Sequence, residues 1–196
     1  MELIFASANR DKLAEVRKIF GPRFNIILPS DLGFHGDIPE TGLTLRENSL
    51  QKARFVSELF HKPCFSDDTG LEVDAIGGAP GVFSARYAGE PKSSARNIEK
   101  LLRELDGVPE RLRTARFKCV VTFCDAGREE LFEGVCEGTV NFAPVRDNAF
   151  GYDPVFIPRG YDRTMAEITI EEKNAISHRG KAMQALLCHL LQNRRP

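Results

Sequence analysis

The sequence predicts an α/β protein with a mixed sheet flanked by helices. Residues 2–20 pass from a short apolar segment through a polar loop into a helical pattern, which is typical of a strand followed by a helix. Residues 115–124 alternate apolar and polar, the turn Asp125-Ala126-Gly127 follows, and residues 131–140 return as a second arm, which is typical of a β-hairpin. Strand–helix units favour parallel strands, whereas a hairpin adds antiparallel ones. The sheet should therefore be mixed.

The composition is that of an ordinary globular protein. The chain has 196 residues, 42% hydrophobic and 28% charged, which suffices for one sizeable core or two closely joined lobes. A net charge of −1 argues against a general nucleic-acid binder, which usually has a strongly basic face. No apolar run approaches the roughly 20 residues that span a bilayer, and residues 1–10 lack the apolar segment of a signal peptide. We therefore expect a cytoplasmic protein without membrane or nucleic-acid partners.

The cysteines also indicate a reducing compartment. They are odd in number and form no Cys-x-x-Cys pair, so we expect reduced, buried thiols rather than disulfides or a zinc site. The five residues are Cys64, Cys119, Cys124, Cys136 and Cys188.

The chain begins with strand, polar loop and helix, then a second strand. We expect a strand at residues 2–6, a helix over Lys12–Phe20 capped by Asn9 or Asp11, and a strand over Phe24–Leu28. A helix N-terminus offers backbone N–H groups and a positive dipole end, so residues 7–12 suit an anion. An ordinary capped connection is the alternative.

A second helix follows the Pro- and Gly-rich loop at residues 29–43. Thr44 and Glu47 have the spacing of a capping box at its start. Lys52 falls on a different side of the helix from its apolar residues. That apolar face consists of Leu45, Ala53, Val56 and Phe60.

Two adjacent carboxylates, Asp67 and Asp68, come after a short apolar approach and before the turn-rich residues 77–81. We expect the strand to end at these acids, which places them at an edge of the sheet, where open α/β folds bind ligands. A solvated turn is the alternative, because most such pairs lie in one.

The rest of the chain continues the mixed pattern. Ser93 or Ser94 should cap a helix that buries Ile98, Leu101, Leu102 and Leu105. Ala115–Cys124 and Leu131–Val140 form the predicted hairpin. An irregular loop at residues 141–154, a strand at Val155–Ile157 and a final helix from Ser177 to about Leu191 complete the expected elements.

The polar residues left over suit a nucleoside triphosphate. Carboxylates in loops are the ligands that Mg²⁺ prefers, together with water and substrate phosphates. Lysines and arginines near strand and helix ends suit a polyanion, and an aromatic ring beside polar groups suits a base. No Walker P-loop motif is present. The candidates are the acids Glu40, Asp67 and Asp68, the cations Lys12, Lys52, Arg86, Lys173 and Arg179, and the group Phe150, Tyr152 and Asp153.

Five segments in one order resemble the inosine triphosphate pyrophosphatase family, also called non-standard purine NTP pyrophosphatases. The resemblance extends from Leu3 to the final helix. The segments are SANRDK at 7–12, SDDTGL at 66–71, GGAPG at 77–81, FGYDP at 150–154 and EEKNAISHR at 171–179.

The resemblance implies hydrolysis of ITP, dITP and XTP to the monophosphate and pyrophosphate, with Mg²⁺ as cofactor, in a homodimer. It also implies one nucleoside triphosphate pyrophosphatase domain over residues 1–196, built on an elongated mixed sheet with two lobes and an active-site cleft between them. Ser7 and Thr69 stand where the family pattern has Thr and Ser, and both keep the hydroxyl.

The family's functional positions carry over residue by residue. They make Asp68 the catalytic base and a metal ligand with Glu40. The family pattern assigns no role to Asp67, which we expect to be a supporting neighbour. The implied contacts to the triphosphate are Ser7, Ala8, Asn9, Arg10, Asp11, Lys12 and Lys52. Those to the rest of the substrate are Thr69, Arg86, Phe150, Gly151, Tyr152, Asp153, Lys173, His178 and Arg179.

Two physical expectations follow. Crowding of Asp67 and Asp68 should raise the pKa of one carboxyl, while Mg²⁺ or lysine should lower it and leave Asp68 ionised near neutral pH. Donors on His178 or Arg179 facing the 6-keto oxygen would favour hypoxanthine and xanthine over adenine, because adenine would leave them unpaired. Guanine shares that oxygen, so its exclusion needs a second device.

Several alternatives remain open from the residues alone. His178 and Arg179 are also ordinary polar residues for a helix N-terminus. Lys173 is also consistent with a surface lysine that precedes a helix. Of Phe150 and Tyr152, we expect one to stack on the base and the other to pack. A pyrophosphatase of other nucleotide specificity and a non-catalytic nucleotide-binding module are the competing functions.

Overall fold

The computed structural model describes residues 1–146 and 150–193. Its strands are β1 (Glu2–Phe5), β2 (Asn25–Ile27), β3 (Cys64–Val73), β4 (Pro80–Gly81), β5 (Thr114–Asp125), β6 (Arg128–Val140) and β7 (Phe156–Pro158). Its α-helices are α1 (Arg10–Phe20), α2 (Leu45–Phe60), α3 (Ser94–Glu104), α4 (Ile170–Ile176) and α5 (His178–Gln192). Among the helices of these residues, none is long and apolar enough to cross a membrane.

The sheet is mixed, as predicted. Its strand order is β2-β1-β3-β5-β6-β7, with β4 beside β3. β1 is parallel to β2 and β3, whereas β4 runs antiparallel to β3 and β7 antiparallel to β6. Ala126 and Gly127 alone join β5 to β6, and both have positive φ, the backbone that a tight hairpin turn requires. The predicted hairpin is confirmed.

The chain forms two compact units. The first comprises Met1–Asp68, Cys119–Gly134 and His178–Pro196; the second comprises Thr69–Lys118 and Val135–Ser177. This division agrees with the two lobes that the resemblance implies. The active-site cleft between them stays a prediction.

The sheet of the first unit is buried on both faces. On one face, Phe5 and Phe65 stack at 4.9 Å between ring centroids and pack with apolar residues of α1 and α5. On the other face, Cys64 and Cys124 pack with Ala53 and Val56 of α2. Helices on both faces explain why β5 is buried at every position from Cys119 to Cys124, where the sequence predicted one apolar face.

In the second unit, helix α3 covers one face of the sheet. Leu101 and Leu105 are buried against Leu71 and Phe117, which confirms most of the predicted apolar stripe. The other face carries charged side chains, such as Arg116, which is paired with acidic groups of β3 and of the turn that follows it. This unit is therefore a two-layer structure with one polar face.

The predicted helix caps are confirmed, and several boundaries change. Asn9 caps α1, Ser93 caps α3, and Thr44 with Glu47 forms a capping box on α2. α1 begins at Arg10 rather than Lys12. Residues 147–149 of the predicted 141–154 loop lie outside the described residues.

One prediction about a strand end was wrong. The strand does not end at Asp67 and Asp68, because β3 continues to Val73. Leu71 and Val73 stabilise this extension, since both pack into the core of the second unit. Helix α4 was not predicted; Thr169 caps it, and it contains Lys173.

The five thiols are free, as predicted. The structure places Cys64, Cys119, Cys124 and Cys136 in the interior and Cys188 at the surface. Burial of four of them agrees with the expectation, and Cys188 is the exception.

Gly134 provides a test of how β6 packs against α5. A Cβ at this position would lie 2.0 Å from the carbonyl oxygen of His178 and 2.7 Å from the amide nitrogen of Ala182. Because both atoms are backbone, no rotamer change relieves the clash. We predict that Gly134→Ala lowers the free energy of unfolding by at least about 1–3 kcal/mol, measured by urea denaturation. The exposed neighbour Glu133→Ala should stay within about 0.5 kcal/mol, and equal midpoints for both variants would contradict this packing.

Candidate active site

The two adjacent carboxylates of β3 point to opposite faces of the sheet. Side chains alternate along a strand, so Asp67 shares a face with Phe65, and Asp68 shares a face with Cys64 and Ser66. Phe65 packs with α1 and α5, whereas Cys64 packs with α2. The pairing of β1 with β3 ends at Phe5 and Phe65, so both acids lie beyond the carboxyl end of β1. Both acids thus lie past the end of a neighbouring strand, although their own strand β3 continues beyond them.

Asp67 lies in a buried ion network. Its side chain is 1% exposed, and it accepts hydrogen bonds from Lys12 Nζ at 2.9 Å and from Arg179 Nε at 3.1 Å. Arg179, at the start of α5, also donates through Nη1 to Glu15. Lys12 and Glu15 are three residues apart on α1 and so lie on neighbouring positions of one face. The network ties α1 and α5 to β3.

The cations around Asp67 decide its protonation. Burial opposes the charge, but Lys12, Arg179 and Lys52 together hold the pKa of this carboxyl well below its usual range. The same network raises the pKa of Arg179 above its usual value despite burial. Asp67 is thus held as an anion by fixed partners, and the supporting role expected for it stays a prediction.

On the opposite face, Lys52 joins Asp68 to Glu40. Its ammonium is buried and donates to Glu40 Oε1 at 2.5 Å and to Asp68 Oδ1 at 3.0 Å. Asn48, one turn earlier on α2, donates from Nδ2 to Asp68 Oδ2 at 3.3 Å. Glu40 and Asp68, the two predicted metal ligands, therefore both bond to the ammonium group of Lys52.

Asp68 differs from Asp67 in its protonation behaviour. Burial raises the pKa of Asp68 above its usual value, although Lys52 opposes the shift. For Lys52, burial is outweighed by Asp68, Asp67 and Glu40, which raise its pKa and keep it charged. The expectation that crowding raises one pKa names the wrong cause, because the two acids lie on opposite faces and burial produces the shift.

The loop before α1 is organised around Asn9. The Asn9 side chain accepts hydrogen bonds from the amides of Asp11 at 2.9 Å and Lys12 at 3.1 Å, and the Asn9 amide donates to Ser7 Oγ at 3.1 Å. Ala8, Arg10 and Asp11 are exposed. Asn9 therefore holds this turn in shape, while Lys12 reaches the interior.

In the second unit, the residues after the undescribed segment separate into two kinds. Tyr152 is 4% exposed, and its hydroxyl donates to the Ser84 carbonyl at 2.9 Å. Phe150 is 40% exposed and lies 5.7 Å from the Lys173 ammonium. That ammonium donates to Asp153 Oδ2 at 2.7 Å. Gly151 between the aromatics has φ +59, a backbone that glycine adopts without strain. Tyr152 is thus the ring that packs.

Arg86 belongs to a single helical turn in the second unit. The turn is held by Asn97, whose Nδ2 donates to the Ser84 carbonyl at 3.2 Å and whose Oδ1 accepts from the Ala88 amide at 2.7 Å. The Arg86 guanidinium lies 5.5 Å from the Phe83 ring centroid. Thr69 is half-buried at the first position of the second unit.

The structure thus brings the predicted residues together in two groups. In the first unit these are Lys12, Glu40, Lys52, Asp67, Asp68 and Arg179, with His178 buried next to Arg179. In the second unit they are Phe150, Asp153 and Lys173. Within the described residues, no group of three or more His, Cys, Asp or Glu side chains is arranged to hold a metal.

Comparison with known proteins gives the family. A sequence model of the Ham1 family matches residues 3–189. This protein belongs to the Ham1 family. A dITP/XTP pyrophosphatase of Flavobacterium psychrophilum is 45% identical over 187 residues, covering 95% of this chain and 97% of the relative. One of Geobacillus kaustophilus is 48% identical over 188 residues, covering 94% and 92%.

Solved structures agree with this assignment. The Ham1 protein of Staphylococcus aureus superposes with a TM-score of 0.89 at 38% identity, over 99% of this chain and 100% of the other. A Mycobacterium abscessus protein described as a nucleoside-triphosphatase or dITP/XTP pyrophosphatase has a TM-score of 0.77 at 40% identity, over 95% and 99%. The predicted family resemblance and the predicted fold class are confirmed.

Sequence reasoning missed the residues that hold the site of this Ham1 family member in place. Glu15, Asn48, Ser84 and Asn97 each contact a residue of the two groups or the turn that carries it. The spacing of Asn48 and Lys52, four residues apart on one helix, was the only available signal. The others bond through backbone or across the fold, which no local pattern reveals.

The depressed pKa of Asp67 predicts how stability depends on pH. Asp67→Asn removes a buried charge and leaves Lys12 and Arg179 without it, so we expect a loss of about 3–5 kcal/mol at neutral pH. Because the folded pKa lies below the unfolded value of about 3.9, the contribution is full above that value and is lost as the pH falls towards the folded pKa. The free energy of unfolding, measured by urea denaturation, should therefore differ between the wild type and Asp67→Asn by an amount that decreases below about pH 4. As a control, the exposed Asp162→Asn should change the free energy of unfolding by less than about 0.5 kcal/mol at neutral pH. A pH-independent difference for Asp67→Asn would refute the assignment.

Proposed function

We propose that this protein hydrolyses the non-standard purine nucleotides ITP, dITP and XTP to the monophosphate and pyrophosphate, which removes them from the nucleotide pool. The observation that carries the proposal is the pair of carboxylates, Glu40 and Asp68, held on the buried ammonium of Lys52. The family and the dITP/XTP pyrophosphatases that are 45–48% identical support it. We take the protein to act as one domain over residues 1–196.

The donor set suits Mg²⁺. The carboxylate oxygens of Glu40 and Asp68 are hard ligands, and both groups converge on the ammonium of Lys52. Mg²⁺ commonly binds one or two carboxylates together with water and substrate phosphates. We infer that these two residues hold the ion. When bound, the ion supplies charge neutralisation at the phosphates and lowers the pKa of water.

Asp68 has the properties of the general base. Its pKa is raised by burial, which brings a carboxyl closer to the working pH, where proton acceptance is most effective. It accepts a proton from the attacking water, whose oxygen forms a bond to the α-phosphorus. The bond from that phosphorus to the oxygen shared with the β-phosphorus breaks, and pyrophosphate leaves. Asp67 remains ionised and holds Lys12 and Arg179.

We infer that Lys12, Lys52 and the loop before α1 bind the negatively charged triphosphate. Lys12 is anchored at its tip by Asp67, so its position is fixed before substrate binds. Lys52 stays charged beside the two carboxylates. We infer that residues 7–12, turned by Asn9, bind the phosphates together with these two lysines.

We infer that Phe150 stacks on the base. Of the two aromatics it is the exposed one, whereas Tyr152 is fixed by the Ser84 carbonyl. Lys173, Asp153, Thr69 and Arg86 are proposed to complete the substrate contacts of the second unit. We infer that His178 donates the hydrogen bond to the 6-keto oxygen, because Arg179 already donates hydrogen bonds from Nε and Nη1 to carboxylates.

We also infer the setting of the activity. A cytoplasmic homodimer is the state implied by the resemblance. Sedimentation of the purified protein tests the dimer, since its mass should be twice the 21.9 kDa of the chain.

One assay separates this function from its alternatives. The purified protein is incubated with Mg²⁺ and ITP, XTP, GTP, ATP or dUTP, and released pyrophosphate and orthophosphate are measured. Pyrophosphate from ITP and XTP is the expected result. Pyrophosphate mainly from GTP, ATP or dUTP would indicate a pyrophosphatase of other specificity, and no product would indicate a binding module.

Removing the charge of Asp68 should abolish most of the activity. We predict that Asp68→Asn lowers kcat at least about a hundredfold, equivalent to about 2.7 kcal/mol, because the amide cannot accept the proton of the water. Steady-state pyrophosphate release from ITP measures the effect. Asp74→Asn, on the same chain segment but exposed, should change kcat less than twofold. Wild-type turnover in Asp68→Asn with Mg²⁺ present would rule out the base assignment.

The stacking assignment for Phe150 makes a separate prediction. Phe150→Ala should raise KM for ITP by about 5- to 150-fold, because stacking of a base on an aromatic ring contributes about 1–3 kcal/mol. kcat should change little, since stacking acts equally in the ground and transition states. Phe142→Ala, another exposed aromatic of the second unit, is the control. If both variants have the KM of the wild type, Phe150 does not bind the base.

A further inference from the structure

The side-chain amide of Asn48 forms hydrogen bonds through both its oxygen and its nitrogen within the first unit. It is 2% exposed and lies in the first turn of α2. Its Oδ1 accepts from the Gly42 amide at 2.7 Å, and its Nδ2 donates to Asp68 Oδ2 at 3.3 Å. One buried side chain therefore connects the loop that carries Glu40 to the strand that carries Asp68.

The orientation of this amide is decided by its neighbours. The Gly42 backbone N–H can only donate, so it requires the Asn48 oxygen, and the Asn48 nitrogen must then face Asp68. Lys52 donates to the other oxygen of the same carboxylate at 3.0 Å. Both oxygens of Asp68 consequently have a donor, which fixes the plane of the carboxylate.

The loop reaches α2 because residue 42 is a glycine. A Cβ there would lie 2.6 Å from the Glu47 Cβ and 2.9 Å from the Asn48 Oδ1. The adjacent amides are also bound by α2 side chains: Thr41 donates to Gln51 at 2.8 Å and Leu43 donates to Glu47 at 2.7 Å. Three successive loop amides thus bond to α2.

Among the three side chains that bind the loop, Asn48 is the one whose described hydrogen bonds also reach Asp68. Glu47 bonds to the amides of Leu43 and Thr44, and Gln51 bonds to Thr41 twice, through its carbonyl and its amide. Those hydrogen bonds hold the loop against α2. The hydrogen bonds of Asn48 also connect the loop to the Asp68 carboxylate.

We propose that Asn48 is a positioning residue that holds the Glu40 loop and the Asp68 carboxylate in one fixed arrangement for the reaction. The inference rests on the proposed function, in which these two acids hold Mg²⁺ and Asp68 accepts the proton. Asn48 is buried and acts through Asp68 and the loop. Its loss should therefore reduce the rate of the chemical step more than the binding of nucleotide.

The first test is kinetic. Asn48→Leu keeps the approximate volume and removes both hydrogen bonds. We expect kcat for pyrophosphate release from ITP to fall ten- to hundredfold, as for loss of a hydrogen bond to a charged group, with KM changed less than threefold. Asn48→Asp keeps an acceptor for Gly42 without a donor to Asp68, and should also lose at least tenfold. Gln51→Ala, which loosens the loop without touching Asp68, should lose less than threefold. Equal losses in Gln51→Ala and Asn48→Leu would overturn the link to Asp68.

A double-mutant cycle distinguishes positioning from a general loss of structure. If Asn48 acts by fixing Glu40 relative to Asp68, Asn48→Leu should cost less than threefold in kcat once Glu40→Gln is present. An unchanged cost in the Glu40→Gln background would overturn the proposal. Urea denaturation of each variant confirms that the folded protein is compared, and Asn48→Asp replaces Asn48→Leu in the cycle if the latter does not fold.

A metal titration separates failure of this inference from failure of the proposed function. Melting temperatures are measured against Mg²⁺ alone, without nucleotide. We expect half-saturation to need at least threefold more Mg²⁺ in Asn48→Leu than in the wild type and Gln51→Ala. If the wild type releases no pyrophosphate, the function fails while this titration still judges Asn48. If the wild type is active but Asn48→Leu has wild-type kcat and Mg²⁺ dependence, only the positioning role fails.

Discussion

Alternation of side chains along β3 is the constraint on which the rest of the site depends. Two neighbouring carboxylates in an extended strand must point to opposite faces, and here both faces are covered by helices. Asp67 therefore meets Lys12 and Arg179 from α1 and α5, while Asp68 meets Lys52 and Asn48 from α2. One dipeptide thereby gives two acids of opposite character, one locked as an anion and one with a raised pKa.

Burial makes these ion pairs obligatory. A charge inside a protein is tolerated only with compensating charges and hydrogen bonds, so each helix of the first unit must deliver its cation to β3 for the fold to be stable. The same network therefore stabilises the fold and prepares the site. In the proposed function, Lys12 and Lys52 bind the substrate phosphates from positions that are already fixed, which reduces the ordering needed on binding.

Much of this could be predicted from local sequence. The capping residues Asn9, Thr44 and Ser93, the hairpin turn at Ala126-Gly127 and the mixed sheet all follow from short-range preferences. Asp67 and Asp68 were singled out by residue type and by their position between a short apolar segment and a turn-rich segment. The expected end of the strand at these acids was wrong, because the continuation of β3 to Val73 is stabilised by packing with residues distant in sequence. Helix α4 was not predicted, although Thr169 and Glu172 form a capping box at its start.

The sequence by itself determined the fold class, the caps and the kinds of residues available for chemistry, because these depend on neighbours within a few positions. The tertiary structure alone decided that Asp67 and Asp68 have different partners, that Tyr152 packs while Phe150 is exposed, and that Asn48 joins a loop to a carboxylate. Each of these outcomes depends on contacts between segments tens of residues apart. Propensity and periodicity describe one element at a time, so they carry no information about which side chains meet across a core.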